Sequence, residues 1–147
     1  MSCQPSHVSK VYQWLINQQP CLLCDGRSRR ALALCEDCEA DMPWLSGQCR
    51  QCALPMPSHQ ALCADCSDNP PFFSQVVTPL QFDFPVDTLI SRFKYQQSWP
   101  YGRLLSELLV QYLTYYFDEG GQRPDLILAV PLGKRRQRQR GYSQAQM

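Results

Sequence analysis

Four Cys-x-x-Cys pairs, Cys21/Cys24, Cys35/Cys38, Cys49/Cys52 and Cys63/Cys66, begin at 14-residue intervals in a chain of 147 residues. One such pair holds two sulfurs on a tight turn. Two pairs close a tetrahedral four-thiolate site with metal–sulfur distances of about 2.3 Å, so four pairs imply two sites. A single Cys-x-x-Cys can be a redox motif, but four evenly spaced copies do not resemble one. Disulfides require an oxidising compartment. The apolar run Val11–Ile16 is broken by Gln13 and followed by Asn17-Gln18-Gln19, which is not the pattern of a signal peptide. The expected cofactors are therefore two structural Zn2+ ions. Iron is the rival occupant, because tetrahedral thiolate sites suit both metals.

An internal repeat says which pairs share an ion. Leu34-Cys35-Glu36-Asp37-Cys38 and Leu62-Cys63-Ala64-Asp65-Cys66 share the form LCxDC, whereas Cys21-Leu22-Leu23-Cys24 and Cys49-Arg50-Gln51-Cys52 lack that leucine and aspartate. The unit thus repeats after 28 residues and carries four sulfurs each time. This predicts that Cys21, Cys24, Cys35 and Cys38 hold one ion, and Cys49, Cys52, Cys63 and Cys66 the other. Interleaved pairing, as in a cross-braced finger, is the competing arrangement. Large apolar residues are few between Pro20 and Pro70, so the ribbons are expected to depend on metal for their stability. Four thiolates leave no open position for water, which argues against catalysis at either ion. Cys3, His7 and His59 fall outside the register; Cys3 reads as a spare thiol and the histidines as surface residues.

Hydrophobic residues make up 44% of the chain and charged residues 18%, a globular balance. No uninterrupted apolar stretch exceeds Leu126–Val130, far short of the roughly 20 residues of a membrane helix. No membrane span and a cytoplasmic location are expected. Between Pro20 and Pro70 there are four basic and seven acidic residues, and each zinc tetrathiolate adds further negative charge. That module is too acidic to attract phosphate through its overall field. Arg27, Arg29 and Arg30 form its one local basic spot.

Val8, Val11, Tyr12, Leu15 and Ile16 predict a short amphipathic helix before the first pair. After the boundary Asn69-Pro70-Pro71, Val76-Val77-Thr78 predicts a strand. Val86, Leu89, Ile90 and Phe93 predict a helix closed by Lys94-Tyr95. Pro100 opens a longer helix whose apolar stripe runs from Leu104 to Phe117 and stops at Gly120-Gly121. Leu126 to Val130, apolar without alternation, predicts a strand buried on both faces as in a parallel sheet. Such a strand needs a parallel neighbour reached by a crossover, for which the remaining residues leave no room. The sequence accordingly reads as the front part of a longer protein.

Five cations in seven residues, Lys134 to Arg140, follow that strand. Ligands of open α/β sheets bind at this edge, so the segment reads as an anion site; a solvated basic loop or a nucleic-acid patch is the alternative. Residues 71–147 hold nine basic and six acidic groups, making this half the one a polyanion would prefer.

Four Cys-x-x-Cys pairs, Phe93-Lys94-Tyr95, and Ala129-Val130-Pro131-Leu132 leading into Arg136-Gln137-Arg138-Gln139-Arg140-Gly141-Tyr142-Ser143-Gln144-Ala145 together resemble the ComF/GntX proteins of bacteria. Ser143 stands where that family commonly has asparagine, and Ala53 where glycine often follows the third pair. The resemblance implies a small metal-stabilised double zinc ribbon followed by the N-terminal part of an α/β phosphoribosyltransferase-like (type I) domain. The expected divisions are an N-terminal helix over 1–19, the double ribbon over 20–70 and an incomplete phosphoribosyltransferase-like domain over 71–147. The implied role is competence and DNA utilisation, with a protein partner in the DNA-uptake machinery. The loop Leu132–Arg136 would contact pyrophosphate. Lys134, Arg135, Arg136, Arg140 and Gln144 are the implied binding residues for phosphoribosyl pyrophosphate, held with Mg2+ in a full-length form. The family's acidic pair and Thr-Thr-Gly turn are absent from these residues, so the chain as given is not expected to catalyse transfer. The alternative function is a non-enzymatic zinc-ribbon module that binds protein or single-stranded nucleic acid, with single-stranded DNA as a candidate partner.

Overall fold

The computed structural model describes residues 19–57 and 62–146. The helix expected over Val8–Ile16, together with Cys3, His7 and His59, lies outside them. Among the described residues there are five α-helices: α1 (Glu36–Ala40), α2 (Ala64–Asp68), α3 (Val86–Tyr95), α4 (Trp99–Asp118) and α5 (Lys134–Arg140). A 3-10 turn, Gln144–Gln146, follows α5. Extended pairing is confined, among the same residues, to three isolated antiparallel bridges: Pro20 with Arg27, Trp44 with Leu80, and Gln48 with Pro55. Packing divides the chain into two compact units. One comprises the described residues up to Asp41 together with those from Thr88 onward, and the other lies within Met42–Asp87.

The Met42–Asp87 unit is built around a cluster of buried thiols, with Met42, Ala53 and Val86 also buried. Cys49, Cys63 and Cys66 are buried, with Cys52 and Met56 packed against them. The composition boundary at Asn69-Pro70-Pro71 falls inside this unit, because the chain beyond it returns to the ribbon. Val76 N–H donates to Gln51 O at 2.8 Å, and the Gln51 side chain donates from Nε2 to Phe73 O at 3.0 Å. Farther on, Leu45 N–H donates to Pro79 O and Gln81 N–H to Pro43 O, both at 2.9 Å.

In the other unit the first ribbon buries Cys21, Leu32 and Leu34, while α3 and α4 bury Leu89, Phe93, Leu104 and Leu108. The apolar spacing that predicts α3 is realised on its inner face. Pro100 lies in the first turn of α4, where its missing N–H costs no helical bond. Gly102 explains how α4 fits against Phe93. A Cβ there would stand 2.4–2.8 Å from three atoms of the phenylalanine ring.

Two expected strands do not form among the described residues. Val76-Val77-Thr78 is irregular, held by the Gln51 contact rather than by a ladder. Leu126 to Val130 is also irregular, and its side chains stand open to solvent, Leu126 at 71% and Ile127 at 84% exposure. The physical reason is that a parallel-type strand gains its backbone partners and its two covered faces only from neighbours, and no adjacent strand exists among the described residues. The basic segment also differs from a loop: Lys134 to Arg140 is helical and ends at Gly141, whose φ of 75° supplies the left-handed cap.

Candidate metal centres

Each quartet is built from a turn and the start of a short helix. In the first, Cys21–Cys24 forms the turn: Cys21 N–H donates to Gly26 O at 2.7 Å, and Asp25 N–H returns to Cys21 O at 2.9 Å. In the second, Cys49 N–H donates to Leu54 O at 2.9 Å and Ala53 N–H to Cys49 O at 3.0 Å. The residue after each turn is left-handed, Asp25 at φ 57° and Ala53 at φ 60°. Ala53 is the costlier of the two, because its Cβ has no polar group to compensate the strain. Cys35 and Cys63 then cap α1 and α2 with matching backbone angles, φ −76° in both and ψ 162° and 166°. The 28-residue repeat of the sequence is thus a repeat of hydrogen bonds as well.

These turns and caps bring Cys21, Cys24, Cys35 and Cys38 together, and separately Cys49, Cys52, Cys63 and Cys66. Within each quartet the sulfurs lie within 4.8 Å of one another. Sequential rather than interleaved pairing is therefore the observed arrangement. Cys24 Sγ lies 3.7 Å from Cys35 Sγ, and Cys52 Sγ lies 3.7 Å from Cys63 Sγ. A tetrahedron with metal–sulfur bonds of about 2.3 Å has edges of about 3.8 Å, so these gaps fit a four-thiolate metal site. A disulfide would need sulfurs about 2.05 Å apart, and all eight thiols are free.

Electrostatics favour a bound cation. Burial raises the Cys21 thiol, but the backbone N–H groups of Cys35, Cys24 and Leu23 outweigh it and bring it down to about 6. At Cys49 the N–H of Cys52 acts first and, with those of Cys63 and Gln51, overcomes burial to give about 6. Cys63 N–H lies 3.3 Å from Cys49 Sγ. The last cysteine of each quartet moves the other way. Burial, then the neighbouring thiols, push Cys38 far up and Cys66 up to about 12. At Cys24 and Cys52, backbone N–H groups of Gly26 and Leu54 favour the thiolate, yet neighbouring thiols leave both raised. A quartet alone cannot hold four negative charges, and a dication removes that conflict. Metal loading at pH 7 is thus expected to release at least about two protons per ion, from Cys24 and Cys38 in one site and Cys52 and Cys66 in the other. Calorimetry in two buffers of different ionisation enthalpy measures that number.

Ser28 is a supporting residue that spacing alone does not reveal. It is 1% exposed, its Oγ lies 2.6 Å from Leu32 O and 3.1 Å from Leu34 O, and it accepts from Arg30 N–H at 3.3 Å. It thereby ties together the connection between the two cysteine pairs of the first ribbon. Ser28→Ala is expected to cost about 1–3 kcal/mol by leaving buried carbonyls unpaired, and urea titration of the metal-loaded protein measures it. In the basic spot of that ribbon, Arg30 pairs with Glu39.

The residues implied for phosphate binding do not share one cleft. Lys134, Arg135 and Arg136 occupy the first turn of α5 rather than a loop. Lys134 lines a recess with Gln137 and Arg138, whereas Arg136 and Arg140 face a different one with Lys94 and Tyr95. Arg140 Nη1 donates to Gln144 Oε1 at 3.1 Å. Tyr142 anchors this segment: its ring centroid lies 5.6 Å from that of Phe93 and 4.7 Å from that of Trp99, and its hydroxyl donates to Phe93 O. No helix among the described residues is long and apolar enough to cross a membrane.

Comparison with known proteins agrees with this geometry. Residues 11–67 match the double zinc ribbon domain family. The chain is 32% identical over 100 residues to DNA utilization protein YhgH of Escherichia coli strain K12, covering 67% of this chain and 44% of the relative. It is 30% identical over 133 residues to the Salmonella typhimurium protein of the same name, covering 86% of this chain and 57% of the relative. The chain thus spans about half the length of the curated relatives it matches. No solved structure matches it. Two four-cysteine clusters set 28 residues apart thus lie within the segment that matches the double zinc ribbon domain family, in a chain similar at about 30% identity to the DNA utilization proteins YhgH.

Proposed function

We propose that this chain is the metal-bearing portion of a competence and DNA-utilisation protein, in which two ribbons form a rigid docking module for a protein of the DNA-uptake machinery. Cys21, Cys24, Cys35 and Cys38 hold one Zn2+; Cys49, Cys52, Cys63 and Cys66 hold the other. Bound zinc supplies charge neutralisation and a fixed tetrahedral crosslink, and no reaction. The carrying observation is the convergence of eight thiols into two quartets of matching geometry. The residues after the ribbons belong, in this reading, to a phosphoribosyltransferase-like domain. Its cations Lys134, Arg135, Arg136 and Arg140, with Gln144, serve phosphoribosyl pyrophosphate together with Mg2+. The resemblance of the Arg136–Ala145 segment supports this finer reading, as does the excess of nine basic over four acidic residues in 88–146.

Elemental analysis of reduced protein tests the metal assignment. Two zinc ions per chain are expected, and material free of bound transition metal would sink it. Calorimetric titration with phosphoribosyl pyrophosphate and Mg2+ tests the second part. Heat that vanishes in the Lys134→Ala/Arg135→Ala variant supports it, and no heat in the unaltered protein refutes it.

A further inference from the structure

We propose that Cys24 is a site of oxidative modification: peroxide oxidises it, Cys35 resolves the product as a disulfide, and the first ribbon loses its ion while the second keeps its own. The inference rests on the zinc assignment above. The two quartets repeat the same turn and cap but differ in cover. In the first, only Cys21 is buried; Cys35 and Cys38 are half-buried and Cys24 is exposed. In the second, Cys49, Cys63 and Cys66 are buried and Cys52 is half-buried. The chain beyond Pro71 returns beside this second quartet, where Ser74, Gln75 and Val76 line one recess with Cys49. At the first quartet Gly26 stands against the exposed sulfur. A Cβ there would lie 3.1 Å from Cys24 Sγ, so that flank of the sulfur carries no side chain.

Oxidation of a cysteine follows its thiolate character and its accessibility. Ligation to a dication keeps every sulfur of a quartet deprotonated, so accessibility is what separates them. The Cys24 thiolate attacks one peroxide oxygen; a sulfur–oxygen bond forms, the oxygen–oxygen bond breaks and hydroxide leaves. Cys35, whose Sγ lies 3.7 Å away, then attacks the Cys24 sulfur, forming the sulfur–sulfur bond and expelling a second hydroxide. With two protons from solvent the products are one disulfide and two waters: the sulfurs give up two electrons and the peroxide takes them. Zn2+ has no redox chemistry and exchanges no electrons here. Cys21 and Cys38 are then the only thiolates left to it, half of a closed site. The same 3.7 Å separates Cys52 from Cys63, so spacing does not distinguish the quartets and cover does. The first ribbon shares its unit with α4, and its Gln19 and Ala33 line one groove with Trp99 and Leu104. Oxidation should therefore reach the helices and spare the Met42–Asp87 unit.

The test adds excess hydrogen peroxide to the zinc-loaded full chain and follows released metal with a chromogenic chelator. One ion per chain should leave at least about tenfold faster than the other. Peptide mass spectrometry, after alkylation at the end of the fast phase, should find Cys24 joined to Cys35. Cys24→His supplies a nitrogen ligand that zinc accepts beside three thiolates, so this variant should hold two ions yet release the first at least about tenfold more slowly. If it binds only one ion, the disulfide map of the unaltered chain decides alone. The proposal is overturned by both ions leaving at one rate, by a fast-phase disulfide that omits Cys24, or by a two-ion Cys24→His protein that releases metal as fast as the unaltered chain. A chain that carries no zinc before peroxide is added counts against the metal assignment, while the disulfide map still judges Cys24.

Discussion

Stripping both ions with a chelator under reducing conditions is expected to unfold the Met42–Asp87 unit and the first ribbon, while helical signal from α3 and α4 persists in part. The reason lies in what forms the core. In the Met42–Asp87 unit the buried cluster consists of cysteines with Met56 at its margin, and beyond it Met42, Ala53 and Val86 are too few to hold the unit once the thiols are free to repel and hydrate. Zinc bound by such quartets contributes on the order of 10–16 kcal/mol per site at neutral pH, more than a small domain's whole stability. Circular dichroism and amide exchange during chelation, followed by zinc repletion, measure the loss and its reversal. Acidification should act in the same direction. Cys21 and Cys49, each near 6 in the absence of metal, take up protons as pH falls through that value and compete with the ion for the sulfur. Retained amide protection across residues 49–57 in the metal-free protein would contradict the expectation.

Leu104→Ala is expected to destabilise the α3–α4 packing by about 2–5 kcal/mol. Leu104 is 1% exposed, as is Leu108 one turn later, so truncation leaves a cavity rather than a wetted surface. The neighbourhood cannot readily collapse into it, because Gly102 already brings the α4 backbone against the Phe93 ring. Phe93 in turn packs on Tyr142, so loosening α4 should also release the segment after α5. Urea unfolding gives the energy, and loss of near-ultraviolet signal from the Phe93–Trp99–Tyr142 cluster gives the structural readout. A loss below about 1 kcal/mol would mean that the site relaxes, contrary to the close packing around Gly102.

Much of the ribbon architecture is legible in the primary structure because metal ligation is local and discrete. A Cys-x-x-Cys pair needs only its own turn, and the LCxDC repeat assigns partners before any coordinates exist. The helices α3 and α4 are legible for a related reason: their apolar stripes and the proline and glycines that bound them act within a few residues. Ser28 is not legible, since one hydroxyl among many gains its role only when the Leu32 and Leu34 carbonyls fold back over it. Gln51 is hidden likewise, its partners lying more than 20 residues along the chain. The expected strand at Leu126–Val130 fails in the opposite way. Its composition is that of a strand, but a strand is a property of at least two segments, and composition reports only one. The cleft of Lys94 and Tyr95 joins two motifs each visible in sequence, and their meeting depends on Tyr142 reaching Phe93 and Trp99.

The open run from Leu126 to Val130 carries a hazard for handling the protein at high concentration. Short apolar, uncharged stretches rich in β-formers are seeds of fibrillar self-assembly, which requires about six or seven residues free of proline. Here Pro124 and Pro131 bracket the run, and only five apolar residues lie between Asp125 and Pro131. The flanking imino acids thus act as gatekeepers that hold the stretch below zipper length, and replacing Pro131 with a β-branched residue would remove that safeguard.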